Sequence, residues 1–533
     1  MAIALPLGAF VLLRWLMALT SPALTSNSEL VVLMDPYWGR LSPVQQSTSA
    51  ADTLLGNAFE PLIDLNPRGG VSPGSADRWT VSDDFREFRF HIRPGIRFSD
   101  GTPLTAELYR KALLGSVAHD DKDSHNPNAL DVLYRLEGFT LEAAQSGNVP
   151  GLTASVHNKG GHDDDGDWLV MRFAKPFRTA ALELTGTRYA PWVQDPTSGE
   201  FLGTGSYRIV SHRLNEEVIF EPNAFAWKKP RHSRVRVIGT NSGIRDLCIG
   251  KGRVYAGSKT TGPELECSPH LVQFVGGGIS GHWLIALNGS DEHVFSDRRL
   301  RQALQFLVRH APRSIFENAI DPRRISMDPQ FFPKLWPGRI DDQEAEELIN
   351  KGKNAVSDLV SASQRRPLRF LTASEPMIEL RRHLESSGIV FHGPRSTIDS
   401  SQTIEAAYGR IDYDINIHGA MVVGSDPDGL YHLLGAKGSL HSPAIHRPAV
   451  CATLEHARTL LNAPDVDAAY QAVNRTILTE VPHIHLGFDR TGTYIRTDLV
   501  TTLVSAINSD RFTFDIFQLT TQSTNHSQEN IHE

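Results

Sequence analysis

The chain is poor in cysteine: Cys248, Cys267 and Cys451 are the three among its 533 residues. A small disulfide-stapled scaffold needs an even set of closely spaced cysteines, so the sequence excludes that class. Cys248 and Cys267 are close enough in sequence to pair in an oxidising compartment. Three buried thiols are the alternative interpretation.

An excess of positive charge is also missing. The sequence has 53 Lys and Arg against 61 Asp and Glu, a net charge of -8. Nucleic-acid binding requires a basic face that neutralises phosphates, and no block of Lys and Arg supplies one. We therefore expect no nucleic-acid partner.

The common enzyme motifs are absent. There is no P-loop, no Gly-x-Ser-x-Gly turn, no His-Glu-x-x-His helix and no Cys-x-x-Cys pair. We expect a protein that is not an enzyme and that needs no cofactor. His483 and His485 alternate along a predicted strand, where two imidazoles on one face could hold a metal such as nickel. Ordinary strand histidines are the favoured interpretation.

Long apolar runs are missing after residue 26. Ala2 to Leu13 is almost wholly apolar, and the run ends at Ser21-Pro-Ala23. Small residues there suit cleavage after Ala23, which predicts a signal peptide over residues 1–26 and a periplasmic protein. Because no basic residue precedes Arg14, an uncleaved anchor in the inner membrane is the alternative.

Strand and helix patterns follow the leader. Glu29 to Met34 predicts a short buried strand, and Phe85 to Ile92 alternates like a strand with one buried face. Asp297 to His310 has helical spacing of its apolar residues. A strand from Leu368 and another over Ile389–Phe391 flank a predicted helix. This alternation predicts an α/β fold with a mostly parallel sheet.

One run carries a specific resemblance. Phe88-Arg-Phe-His-Ile-Arg-Pro-Gly-Ile-Arg-Phe-Ser-Asp-Gly-Thr-Pro-Leu-Thr-Ala-Glu107 combines a strand, two glycine turns and a helix start that Thr105 would cap. It resembles the pattern of the family 5 extracellular solute-binding proteins, the periplasmic peptide- and nickel-binding proteins of ABC transporters. Phe59-Glu-Pro-Leu62, Gly203-Thr-Gly-Ser-Tyr207 and Phe295-Ser-Asp297 are similar to further family segments, in the same order.

The resemblance implies a two-lobed type II periplasmic-binding-protein fold with mixed sheets and a hinge. Lobe I would comprise residues 27–277 with 488–519, and lobe II residues 278–487. The two crossings between lobes would lie at Gly276–Gly278 and near Leu486–Phe488. Residues 520–533 are polar and predict a disordered tail.

The resemblance also implies where a ligand would lie. In lobe I, the loop after the first strand would offer Tyr37 and Trp38 for stacking and Arg40 for an anionic group. Surface packing of these side chains is the alternative.

In lobe II, His418, Met421, Val423 and Asp426 would face the same cleft. In peptide-binding members an acidic residue near this position pairs with the ligand's α-ammonium. Here the position is Val423, which cannot pair with a cation, so a standard free-amine peptide is not the expected ligand.

The implied function is that of the substrate-binding component of an ABC importer. It would bind a peptide-like or other small amphipathic solute between its lobes and deliver it, as a monomer, to the membrane permease subunits. The alternative is a ligand-sensing or regulatory receptor with the same binding domain and no transport role.

Overall fold

The computed structural model describes residues 29–36, 38–39, 41–44, 48–65, 70–118, 131–157, 166–257, 271–317, 325–334, 336–421, 426–436, 438, 442–503 and 512–520. The strands within these residues are β1 (Glu29–Met34), β2 (Ile63–Leu65), β3 (Val71–Pro73), β4 (Ala76–Val81), β5 (Glu87–Ile92), β6 (Leu152–His157), β7 (Gly166–Arg172), β8 (Val193–Gln194), β9 (Phe201–Leu202), β10 (Tyr207–Arg213), β11 (Glu217–Pro222), β12 (Arg234–Gly239), β13 (Val254–Ala256), β14 (Val272–Leu287), β15 (Ile325–Met327), β16 (Phe370–Thr372), β17 (Ile415–Met421), β18 (His483–Arg496), β19 (Val500–Thr502) and β20 (Phe517–Leu519).

The α-helices of the same residues are α1 (Ser49–Leu55), α2 (Ala106–Ala118), α3 (Asp131–Tyr134), α4 (Leu141–Gln145), α5 (Ala180–Glu183), α6 (Gly243–Cys248), α7 (Arg298–Arg309), α8 (Arg313–Glu317), α9 (Asp342–Asn350), α10 (Val356–Arg365), α11 (Met377–Ser386), α12 (Ser400–Ala407), α13 (Tyr431–Leu434), α14 (Pro448–Ala457) and α15 (Ala463–Glu480). Short 3₁₀ helices cover Thr187–Tyr189, Val294–Ser296, Lys351–Ala355, Pro427–Leu430, Pro443–Ile445 and Phe514–Ile516.

One large mixed sheet runs through the molecule in the order β10-β11-β12-β1-β13-β18-β14-β17-β16, and β15 pairs with β18 at its side. Three of its pairs are parallel: β1 with β12, β1 with β13, and β16 with β17. The other pairs are antiparallel, so the expectation of a mostly parallel sheet is wrong. The spacing of strands and helices could not reveal that β14 and β18, far apart in sequence, would pair.

The two long strands β14 and β18 lie side by side at the positions of the predicted crossings between lobes. They pair antiparallel from Val272 opposite Arg496 to Ala286 opposite His483. The register shifts on both sides of Ile279, and Gly276 lies opposite Gly492. The two predicted crossings therefore fall on neighbouring strands joined by backbone hydrogen bonds. The irregular part of their pairing lies next to Gly276 and Gly492.

A separate four-stranded sheet in the order β4-β5-β7-β6 forms a second packing unit of the first lobe. Its core draws on residues from Leu62 to Tyr189, and we call this unit the small-sheet domain. The sequence placed this segment within lobe I without separating it. The resemblance motif lies here: Gly95 and Gly101 have φ of 82° and 91°, and Thr105 Oγ1 accepts from the Leu108 amide at 3.1 Å, as a helix cap does.

Two local predictions need correction. Phe85 does not extend β5: its φ is 52°, because a turn closed by the Phe85 amide on the Ser82 carbonyl precedes the strand. Ile389–Phe391 is not a strand either. Only an isolated bridge joins Phe391 to Leu368 there, since the segment lies at the outer edge of the sheet.

Cysteine usage differs between the two halves of the molecule. Cys248 is disulfide-bonded, and Cys451 is a free, buried thiol. Cys267 and the predicted leader lie outside the described residues, as does the tail after Thr520. Among the helices that the structure describes, none has the length and apolar character needed to cross a membrane.

Candidate functional site

The small-sheet domain meets the second lobe through a buried polar interface. We call these residues the interlobe cluster: Asp131, Arg135, Arg178, Thr179 and Glu183 from the small-sheet domain, and Asp426, Asp428, His432, Arg458 and Tyr470 from the second lobe. Four carboxylates here face three guanidinium groups and one imidazole. Because so many charges are withdrawn from water, each must find a partner across or within the interface.

Asp428 lies at the centre of the cluster and is 2% exposed. Its carboxylate accepts from Thr179 Oγ1 at 2.7 Å, across the interface, and from the Tyr470 hydroxyl at 2.8 Å. Arg458 Nε lies 2.7 Å from Asp428 Oδ1. Burial, followed by the nearby charge of Glu183, raises the pKa of Asp428 to about 6. The hydrogen bond from Thr179 and the charge of Arg135 act in the opposite direction, and Arg458 is the guanidinium in direct contact with this carboxylate.

Arg458 joins two carboxylates from different parts of the chain. Its side chain is 2% exposed, and NH2 lies 3.5 Å from Asp131 Oδ2 of the small-sheet domain. The guanidinium is stacked over the Tyr431 ring at 3.5 Å. Arg135 Nε also donates to Asp131, at 3.0 Å. One buried cation therefore connects the two sides of the interface.

Asp426 has two tasks. It caps the 3₁₀ helix Pro427–Leu430 by accepting from the Asp428 amide at 2.9 Å. Both terminal nitrogens of Arg178 also donate to its carboxylate, with NH2 at 3.1 Å from Oδ1. This bidentate pair across the interface occupies the carboxylate that the sequence offered as a ligand contact.

Glu183 and His432 form the fourth contact across the interface. His432 Nε2 donates to Glu183 Oε2 at 2.5 Å, and both side chains are buried. Burial acts to lower the pKa of His432, but the charge and hydrogen bond of Glu183 raise it above its ordinary value. The protonated imidazole is therefore favoured while the two lobes are in contact.

The other predicted ligand residues are distributed as follows. Trp38 is 0% exposed and packs in the core of the first lobe, close to Gly239. His418 is half-buried on β17, and its ring centroid is 5.7 Å from that of His483. Among the described side chains, no hydrogen bond, ion pair or ring contact joins Trp38 to His418 or Asp426. Tyr37, Arg40, Val423 and the side chain of Met421 lie outside the described residues.

His418 belongs to a row of histidines on one face of the second-lobe sheet. His418 and His485 lie opposite Leu284 on either side, and His483 lies opposite Ala286. His485 Nδ1 donates to the Asp328 carbonyl at 2.6 Å, which leaves Nε2 to accept from His282 Nδ1 at 3.0 Å.

Burial lowers the pKa of these imidazoles, to about 3 for His282 and about 4 for His418. They are thus neutral groups on a covered sheet face. Within the described ranges, no group of three or more His, Cys, Asp or Glu has the arrangement of a metal site.

Sequence reasoning missed the cluster residues of the small-sheet domain. Arg178 and Asp426 are 248 positions apart in the sequence, and Glu183 and His432 are 249 positions apart. No local pattern links such pairs. The Asp426-Pro-Asp428 segment was the available signal in the sequence, and it contains two of the five cluster residues of the second lobe.

Separate cores around Trp38 in the first lobe and around Ile285 and Ile417 in the second, two adjacent long strands and a polar interface define a hinged, two-lobed fold. The model of the bacterial extracellular solute-binding proteins, family 5 Middle, matches residues 70–343, just over half of the chain. The chain belongs to this family.

Individual relatives are similar over different lengths. The chain is 26% identical over 243 residues to the periplasmic oligopeptide-binding protein OppA of Salmonella typhimurium, which covers 42% of this chain and 40% of that relative. The chain thus spans less than half the length of that curated relative. The fold is similar to that of the Escherichia coli murein tripeptide binding protein MppA, with a TM-score of 0.74 at 18% identity, covering 92% of this chain and 98% of MppA. Against the unliganded open form of MppA the TM-score is 0.62 at 19% identity, over 93% and 98% of the two chains.

Proposed function

We propose that this protein is the solute-binding component of an ABC importer. It captures a peptide-like or other small amphipathic solute in the cleft between its lobes, works in the periplasm as a monomer, and delivers the solute to permease subunits without chemical change. Family membership supports this role, as does a fold whose lobes are joined by neighbouring strands.

The interlobe cluster is the observation that carries the proposal. Its ion pairs join the small-sheet domain to the second lobe at Asp428, Asp426 and His432. These partners can meet only when the lobes are closed, so the cluster acts as a latch for the closed state.

The engagement of Asp426 narrows the proposed ligand. Arg178 already neutralises this carboxylate, and the sequence places Val423 where peptide-binding members carry an acidic residue. An ammonium group of the solute would find no free carboxylate at this segment. We therefore propose a solute whose recognition does not depend on a free α-amino group.

Mass spectrometry of solute released from purified, denatured protein tests this function directly. We expect one small solute class, in stoichiometric amount and chemically unchanged after rebinding. If the solute has an amine, its N-acetylated and free-amine forms should bind with affinities within about threefold of each other, which is about 0.65 kcal/mol. A hydrogen bond from the amine to a charged group would contribute more, about 1.5–3 kcal/mol. A free-amine peptide whose binding is lost on acetylation would contradict the ligand proposal. Turnover of the solute would contradict the non-enzymatic role.

The Glu183–His432 contact predicts that closure depends on pH. Burial and Arg188 act to lower the pKa of His432 in the closed state, but Glu183 and Asp131 outweigh them and raise it. Its contribution is therefore complete below the ordinary histidine pKa of about 6.5 and is lost as pH rises through the raised value. We expect solute affinity, measured by calorimetry, to fall over that interval.

Glu183→Gln should weaken binding in acid and remove this part of the pH dependence. Glu379→Gln is the matched control, because Glu379 forms an exposed pair with Arg382 on α11. A pH profile that is the same in the parent protein and in Glu183→Gln would contradict the assignment.

A further inference from the structure

The second lobe contains a pocket of about 360 Å³ that none of the interlobe cluster residues lines. Its walls are the end of α7, α8, β15, the segment that follows β15, and α9, with Ile484–Leu486 of β18 at the back. All of these elements belong to one lobe. The pocket therefore keeps its shape when the lobes open or close, unlike the interlobe cleft.

The inner wall of the pocket is apolar. Val308, Phe316, Ile349 and Leu486 line it and are themselves buried, and Met327 of β15 is half-buried beside them. A volume of this size with such a wall is typical of a small-molecule site, where apolar contact supplies the affinity.

The charged rim of the pocket is partly paired within itself. Arg309 Nε donates to Glu346 Oε1 at 2.7 Å. Arg339 NH1 donates to Asp328 at 2.8 Å, and its NH2 donates to Asp342. The three carboxylates that line the pocket therefore already have guanidinium partners.

Two cations of the rim have no carboxylate partner among the described residues that line the pocket. Lys334 is exposed and forms no ion pair among the described residues. Arg313 lies 3.4 Å from Glu317, a residue that does not line the pocket, and both side chains are more than half exposed. That pair is screened by water and weak. The mouth of the pocket thus has surplus positive charge.

A buried polar group lies on the wall as well. Gln305 is 4% exposed, and its Oε1 has no hydrogen-bond partner in the described structure. Buried side-chain amides without a partner are uncommon because desolvation is costly. The Oε1 atom accepts, so it is available to a hydrogen-bond donor on a ligand.

We propose that this pocket is a second binding site, for an amphipathic anion with a short apolar chain or ring and a single carboxylate. The apolar part occupies the inner wall, and the carboxylate pairs with Lys334 and Arg313 at the mouth. Because the second lobe supplies the whole lining, binding here does not require closure. Solute bound in the cleft and anion bound in this pocket can occupy the protein together.

Decanoate is a suitable probe, with decanol and decyltrimethylammonium as neutral and cationic counterparts. We expect calorimetry on the full chain to give saturable 1:1 binding of decanoate. Decanol should bind at least about tenfold more weakly, and the cation should not bind. Crystals soaked with 10-bromodecanoate should place the bromine between Val308 and Leu486. Absence of saturable binding, or equal binding of all three probes, would overturn the proposal.

Variants separate this site from the cleft. Lys334→Glu should weaken decanoate binding at least about tenfold, and Ala311→Trp, at the mouth, should abolish it. Lys353→Glu, an exposed lysine of the same lobe outside the pocket, is the matched control and should bind like the parent. Arg178→Ala should also leave decanoate binding unchanged. If Arg178→Ala lost decanoate binding while Lys334→Glu kept it, the anion would bind in the cleft, and the second site would be overturned.

Discussion

Replacing Arg458 with alanine is expected to lower the free energy of unfolding by about 3–5 kcal/mol. The substitution leaves Asp428 buried without the guanidinium that contacts it, and it removes a cation that Asp131 approaches from the other lobe. Tyr431 also loses the guanidinium that covers its ring. Urea denaturation followed by tryptophan fluorescence measures the loss.

Arg382→Ala is the matched control for this experiment. Arg382 pairs with Glu379 on the same lobe, but both side chains are half exposed. Such surface pairs contribute about 0–1 kcal/mol. If Arg458→Ala costs no more than Arg382→Ala, the buried cluster does not stabilise the protein as proposed.

Replacing Arg178 with alanine should have its largest effect on solute binding. The pair with Asp426 crosses between the lobes, so the closed state loses a charge-assisted contact that the open state does not have. Hydrogen bonds to charged groups contribute about 1.5–3 kcal/mol, which corresponds to about 10–150-fold in affinity. Calorimetry with the released solute measures the affinity, and solution scattering should show a larger radius of gyration.

A charge swap makes this prediction specific. Arg178→Asp combined with Asp426→Arg should recover most of the affinity, because the pair re-forms with its charges exchanged. Arg172→Ala is the control within the small-sheet domain, since Arg172 pairs with Glu87 away from the interface. Equal affinities of the parent and Arg178→Ala would contradict the latch.

The sequence predicted the elements that short-range patterns determine. The strand at Glu29–Met34, the turns at Gly95 and Gly101 and the cap at Thr105 depend on residues within a few positions of one another. Each agrees with the structure. The family resemblance rested on this same local information, and it was confirmed.

Long-range pairing was beyond the sequence. β14 and β18 begin about two hundred residues apart, and their register depends on backbone hydrogen bonds that leave no periodic trace. The contacts of the candidate site are also long-range, so the sequence revealed few of them. Asp426 could be named because its segment resembles a family segment, whereas Arg178 carries no mark of its role. The domain boundaries and the ligand contacts at Tyr37, Arg40 and Val423 stay predictions.

The arrangement of the first lobe has a consequence for the order of folding. Its core packs Leu30 and Val32, near the start of the chain, against Phe514 and Phe517, near the end. Asn57 joins both regions: its amide donates to the Phe512 carbonyl at 3.1 Å and accepts from the Phe514 amide at 2.8 Å. During synthesis, the second lobe is complete before these final residues exist. The first lobe must therefore wait for the last segment of the chain, and contacts of such sequence separation make its folding slow.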